Sequence, residues 1–125
     1  MSRKHSLPPH DMIEDGDMSG NLLSDPTNVS QIDQAIVFLN WTGTPDGTFT
    51  LEAAQVRSNQ TRANSPLPSD VVWNTLDLGT IAAAGSNAHQ ILFTELPFTH
   101  LRLRYTANSG SGTLTATISG KSRGA

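Results

Sequence analysis

Leu101-Arg102-Leu103-Arg104-Tyr105-Thr106-Ala107-Asn108-Ser109-Gly110-Ser111-Gly112-Thr113-Leu114-Thr115-Ala116-Thr117-Ile118-Ser119-Gly120 is the stretch that decides the fold. Leu101, Leu103, Tyr105 and Ala107 share one parity; Arg102, Arg104 and Thr106 share the other. Beyond the Gly/Ser/Asn segment the alternation resumes, with Leu114, Ala116 and Ile118 against Thr113, Thr115, Thr117 and Ser119. A period of two bounded by small turn residues is the signature of half-buried strands. The glycine-rich turn suits a hairpin between them, and this hairpin is expected to be the spine of an antiparallel β-domain.

The same pattern extends upstream. Gln34 to Trp41 has apolar residues on both faces, Ala35, Val37, Leu39 and Trp41 on one and Ile36 and Phe38 on the other. A strand apolar on both sides belongs at the centre of a sheet or under a cover. Pro45-Asp46-Gly47 is a turn: Pro presets φ, Asp bonds its own backbone and Gly accepts φ > 0. The run from Thr48 to Arg57 is expected to fold back as its hairpin partner. Its parity slips at Ala53-Ala54, which predicts a β-bulge there. Val71 to Leu78, His89 to Phe93 and a short strand within Met18 to Leu23 complete the set. Ser58 to Asp70, with Pro66 and Pro68, reads as a long exposed loop.

The fold expected from these elements is all-β: an antiparallel β-sandwich or jelly roll of about seven or eight strands. It would carry an extended N-terminal arm over residues 1–17, the sandwich over 18–121 and a short polar tail over 122–125. The arm assignment rests on Pro8-Pro9, on several acids and on low aliphatic content. Its apolar residues Leu7, Met12 and Ile13, with Pro8 and Pro9, are candidates for docking on a neighbouring subunit; the alternative is a loose tail.

Composition narrows the function. The 125 residues fit one domain and contain no cysteine, which removes disulfide frameworks, thiolate metal sites and cysteine nucleophiles. The net charge of −3 is uneven: the acids Asp11, Glu14, Asp15, Asp17, Asp25 and Asp33 precede Gln34 against only Arg3 and Lys4. No basic stripe with interleaved aromatics appears, so no nucleic-acid partner is expected. No apolar run follows Arg3 and Lys4, so neither a signal peptide nor a membrane span is expected.

A search for chemistry returns little. His5, His10, His89 and His100 form no metal-ligand spacing. The acids from Asp11 to Asp17 lack the order of a calcium loop and its terminal Glu. No Gly-x-Ser-x-Gly occurs, and no glycine pair opens a helix to cradle phosphate. No catalytic residue, metal or cofactor is assigned, and an enzyme is the least favoured class. Arg102 and Arg104, on the outer face of the spine strand, are candidate interface residues able to pair with acids, whether as a solvated face or against a partner. Trp41 and Trp73 are either core residues or a platform for stacking sugars.

The segments Trp41-Thr42-Gly43-Thr44-Pro45-Asp46-Gly47-Thr48-Phe49, Val72-Trp73, Leu101 to Thr106 and Ser109 to Leu114 together resemble small β-sandwich structural proteins of tailed-bacteriophage virions. The resemblance covers residues 34–121. It implies a non-enzymatic virion protein, foremost a capsid cement or decoration protein that stabilises the head lattice. Its partners would be itself, as a dimer or trimer, and the major capsid protein or another virion protein. Its place would be the virion, assembled in the bacterial host cytoplasm. A tail, tail-tip or fibre-associated protein is the alternative, and a carbohydrate-binding jelly roll a further one.

Overall fold

A computed structural model describes residues 6–55, 71–79, 81–83 and 87–122. The expected loop from Ser58 to Asp70 and residues Met1 to His5 lie outside this set. The described chain is all-β. Its strands are β1 (Ser6–Asp17), β2 (Leu22–Leu23), β3 (Thr27–Asn28), β4 (Gln34–Gly43), β5 (Asp46–Ala54), β6 (Asn74–Thr75), β7 (Ile81–Ala82), β8 (Ala88–Phe93), β9 (His100–Ser109) and β10 (Gly112–Lys121). They form two antiparallel sheets. The four-stranded sheet runs β1-β10-β4-β8; the six-stranded sheet runs β2-β9-β5-β6, with β3 also on β9 and β7 also on β5.

The core lies where the inward parities of the long strands meet. Val37 and Leu39 from β4 and Leu114, Ala116 and Ile118 from β10 face Phe49 and Leu51 from β5 and Leu101, Leu103 and Tyr105 from β9; all are buried. Full burial of each large aliphatic or aromatic side chain contributes about 1.5–3 kcal/mol. Trp41, Phe49 and Tyr105 stack in series, with ring centroids 5.3 and 5.1 Å apart. The alternation read in 101–107 and 114–118 therefore does face a core, and β4 is central as its two apolar faces require.

The pairing differs from the sequence expectation in two places. β9 and β10 do not pair: β9 lies between β2 and β5, and β10 between β1 and β4. β4 and β5 likewise belong to different sheets. Both glycine-rich turns carry the chain across the core instead of folding it back within a sheet. An inward-facing apolar parity satisfies either arrangement, so alternation alone does not choose between them. The two turns pack on each other, with Thr44 N donating to Ser111 O at 2.9 Å. Gly43 (φ 85°) and Gly110 (φ 79°) supply the left-handed backbone this corner needs.

The expected bulge at Ala53-Ala54 is absent. Ala53 pairs Leu101 and Ala54 pairs His100 in continuous register, and the β5–β9 irregularity falls at Asp46/Gly47. Both alanines are buried nonetheless.

The N-terminal segment is also corrected. From Ser6 onward it is strand β1 at the margin of the four-stranded sheet, paired with β10 from Ser6↔Lys121 to Asp17↔Thr113. Met12 and Ile13 enter the chain's own core at 8% and 9% exposure. Sparse apolar content hid this strand, because its ladder is broken by shifts at Leu7/His10, Asp11/Ile13 and Ile13/Gly16. Pro8 and Pro9 fall in the first shift and lack the N–H a ladder needs. Asp15 sits in the last at φ 51°, a conformation that Asp tolerates better than most residues.

Candidate functional site

The outer face of the four-stranded sheet carries the feature best suited to a partner. Register places Ile36 of β4 between Ser119 of β10 and Leu92 of β8. The next outward row is Phe38 between Thr117 and Gln90. Ile36 and Phe38 are half-buried, whereas Leu92 is 67% exposed. Pro8 and Pro9 stand on the far side, and Gln34 and Lys121 close one end. Together with Leu7, Ala35 and Gly120 these residues enclose an open groove of about 460 Å³. Its lining is mainly apolar, and among the described residues Lys121 is the only charged one that lines it. A groove of this kind can hold an aliphatic or prolyl side chain.

The docking residues proposed for the arm are thus divided. Met12 and Ile13 are committed to the core. Leu7 is partly buried against that core and also lines the groove. Pro8 and Pro9 are exposed on the groove wall. The groove itself was only half visible in the sequence: the apolar second face of Gln34 to Trp41 was its signal.

The outer face of the six-stranded sheet carries an internally paired charge cluster. Arg102 Nε lies 2.6 Å from Glu52 Oε1, and Arg104 Nε 3.4 Å from Glu52 Oε2. Cross-strand register explains this, since Glu52 pairs Arg102 and Thr50 pairs Arg104. Burial pushes the Glu52 carboxyl up, but the hydrogen bonds and charges of both arginines outweigh it and hold the group below the ordinary carboxylate range. The Arg102 guanidinium also sits 4.2 Å above the ring centroid of half-buried Trp73, a cation–π contact. Both candidate interface arginines therefore have an acid within their own chain. Trp41 is buried in the core and cannot serve as a sugar platform; one face of Trp73 is taken by Arg102.

The described histidines, His10, His89 and His100, are dispersed. His10 on β1 and His89 on β8 are exposed, with His10 Nε2 3.5 Å from Thr27 Oγ1. His100 is buried beside Thr99, its Nδ1 2.9 Å from Thr99 Oγ1, and burial lowers its pKa. Among the described residues no three His, Asp or Glu side chains are grouped to hold a metal ion. Asp11, Glu14, Asp15 and Asp17 are spread along β1 instead, with Asp11 accepting from Thr117 Oγ1 at 3.1 Å and Asp17 from Ser19 N at 2.9 Å. Comparison of the sequence with protein-family models and with curated proteins gives no match.

Proposed function

We propose that this protein is a non-enzymatic assembly module of a virion, a cement or decoration protein that seats on the head lattice through the outer face of its four-stranded sheet. The observation that carries the reading is the apolar groove between Leu92 and Pro8-Pro9 with Ile36 at its floor. A water-facing sheet surface ordinarily alternates to polar residues, so an apolar outer strip is a contact surface in waiting.

The fold supports the same reading. We infer that the sandwich is a jelly roll. Taking β2 with β3 and β6 with β7 as single interrupted strands leaves two interleaved four-stranded sheets. Numbered along the chain, their orders become 1-8-3-6 and 2-7-4-5, the arrangement of two nested Greek keys. Jelly rolls recur in viral capsid proteins and in lectins. Between those two uses, the groove favours protein contact: its lining is mainly aliphatic and prolyl, and no aromatic ring for a sugar to stack upon is among the described lining residues.

The test is composition and binding together. Particles of the virus encoding the chain should contain it at a stoichiometry comparable with the major capsid protein. Stripped particles should rebind the purified protein, and Ile36→Lys should abolish rebinding while leaving the far-ultraviolet circular dichroism unchanged. Absence from particles, or undiminished rebinding by the variant, overturns the reading; presence in only a few copies assigns the protein to the tail.

A further inference from the structure

A sandwich of two open sheets has four edges, and each exposes backbone donors and acceptors that invite another strand. Three of the four are blunted here. β1 carries Pro8 and Pro9, three register shifts and the charges of Asp11, Glu14, Asp15 and Asp17. The two edges of the six-stranded sheet are built from two-residue strands, β2 and β3 on one side and β6 and β7 on the other. β8 is different. It runs for six residues, Ala88-His89-Gln90-Ile91-Leu92-Phe93, without proline, acid, lysine or arginine. Its ladder with β4 is regular from Ala35↔Phe93 to Asn40↔Ala88.

The direction of its free groups follows from the ladder. Trp41 N donates to Asn87 O at 2.9 Å, so the odd-numbered residues of β8 are the ones that bond to β4. Gln90 and Leu92 turn their N–H and C=O away from β4, and among the described residues none bonds to these outward groups. Leu92 also extends an exposed apolar side chain at this edge.

We propose that β8 is a homodimer interface, in which the β8 strands of two copies pair antiparallel across a two-fold axis and join their four-stranded sheets into one. Gln90 of each copy would bond Leu92 of the other, with the axis at Ile91. The occupant is a second copy because the edge is self-complementary: each strand supplies the donors and acceptors the other lacks, and with no formal charge on β8 no like charges are brought together. Self-pairing also closes at two, because the opposite edge of the joined sheet is β1 again, and its prolines, bulges and acids cannot continue a ladder. The inference goes beyond the virion reading and does not depend on it.

Sedimentation velocity on the full chain, from micromolar to millimolar concentration, tests this. A dimer is expected. Gln90→Pro removes an outward N–H without touching the β4 ladder, and Leu92→Lys sets a charge at the edge on a side chain already exposed; each should give a folded monomer by sedimentation and circular dichroism. Glu14→Gln on β1 should leave the dimer intact. A monomeric wild-type chain, a trimer or larger ring, or a dimer insensitive to Leu92→Lys overturns the proposal. So does a monomer that pairs through this edge only with an added foreign strand peptide. Because Ile36→Lys probes the groove and Gln90→Pro, outside the groove lining, probes the edge, loss of particle binding and loss of the dimer are separable results.

Discussion

Thr44 and Ser111 join the two turns that close one end of the sandwich: Thr44 N donates to Ser111 O at 2.9 Å. The contact brings the β4–β5 and β9–β10 connections together, and both cross between sheets. Glycine is required there for two separate reasons. Gly110 has φ 79°, and a Cβ on it would collide with Thr44 O.

Gly110→Ala is therefore expected to destabilise the fold by about 3 kcal/mol, the upper end of the range for backbone strain. Gly79 provides the comparison: its φ is 74°, but a Cβ there meets nothing within 4 Å. Gly79→Ala should cost only about 1 kcal/mol, from conformation alone. Urea midpoints of the two variants measure the difference. Equal costs would show that the turn-on-turn contact carries no energy.

Tyr105 is fully buried, and its hydroxyl has no hydrogen-bond partner among the described residues. Burial and the charge of Asp46 raise its pKa, keeping it a neutral phenol. An unpaired buried hydroxyl costs about 1–3 kcal/mol. Tyr105→Phe keeps the stacking on Phe49 and removes that cost, so it should raise the melting temperature. A fall in stability would mean that the hydroxyl is satisfied in solution.

Glu52 sits between Arg102 and Arg104 with its folded pKa lowered. A carboxyl of this kind adds stability above its unfolded pKa, and the contribution is lost as pH falls through the folded value. Glu52→Gln should thus be destabilised by about 1 kcal/mol at neutral pH, and the gap from wild type should close below about pH 4. Denaturant titrations at both pH values check this; a gap that persists in acid would assign the loss to packing on Arg102 instead.

His100 shows the opposite residue type with the same sign. Its pKa is lowered by burial, so protons favour the unfolded chain. Its contribution is complete above the unfolded value of about 6.5 and declines as pH falls from there toward the folded pKa. His100→Gln should flatten the stability profile between about pH 7 and 5, measured by thermal melts across that range.

Strand identity was legible because side-chain parity is a local property. The alternation of Leu101 to Ala107 and of Leu114 to Ile118, the two apolar faces of Gln34 to Trp41, and the Pro-Asp-Gly turn are all written within a few residues. They imply two sheets over a core, and the core residues follow. Partner-strand choice is not local. Nothing within Asn108 to Gly112 distinguishes a turn that folds back in one sheet from one that crosses to the other, because both bury the same parity.

The candidate site divides in the same way. Ile36 and Phe38 announce an apolar outer strip, but only the assembled sheet sets Leu92 and Pro8-Pro9 on either side of it. Met12 and Ile13 look uncommitted in a segment of prolines and acids, until pairing with β10 turns them into the core. Which edge stays open is decided last. That property depends on every strand having already found its neighbours, so residue order determines the strands, and long-range pairing alone decides that β8 is left at the margin.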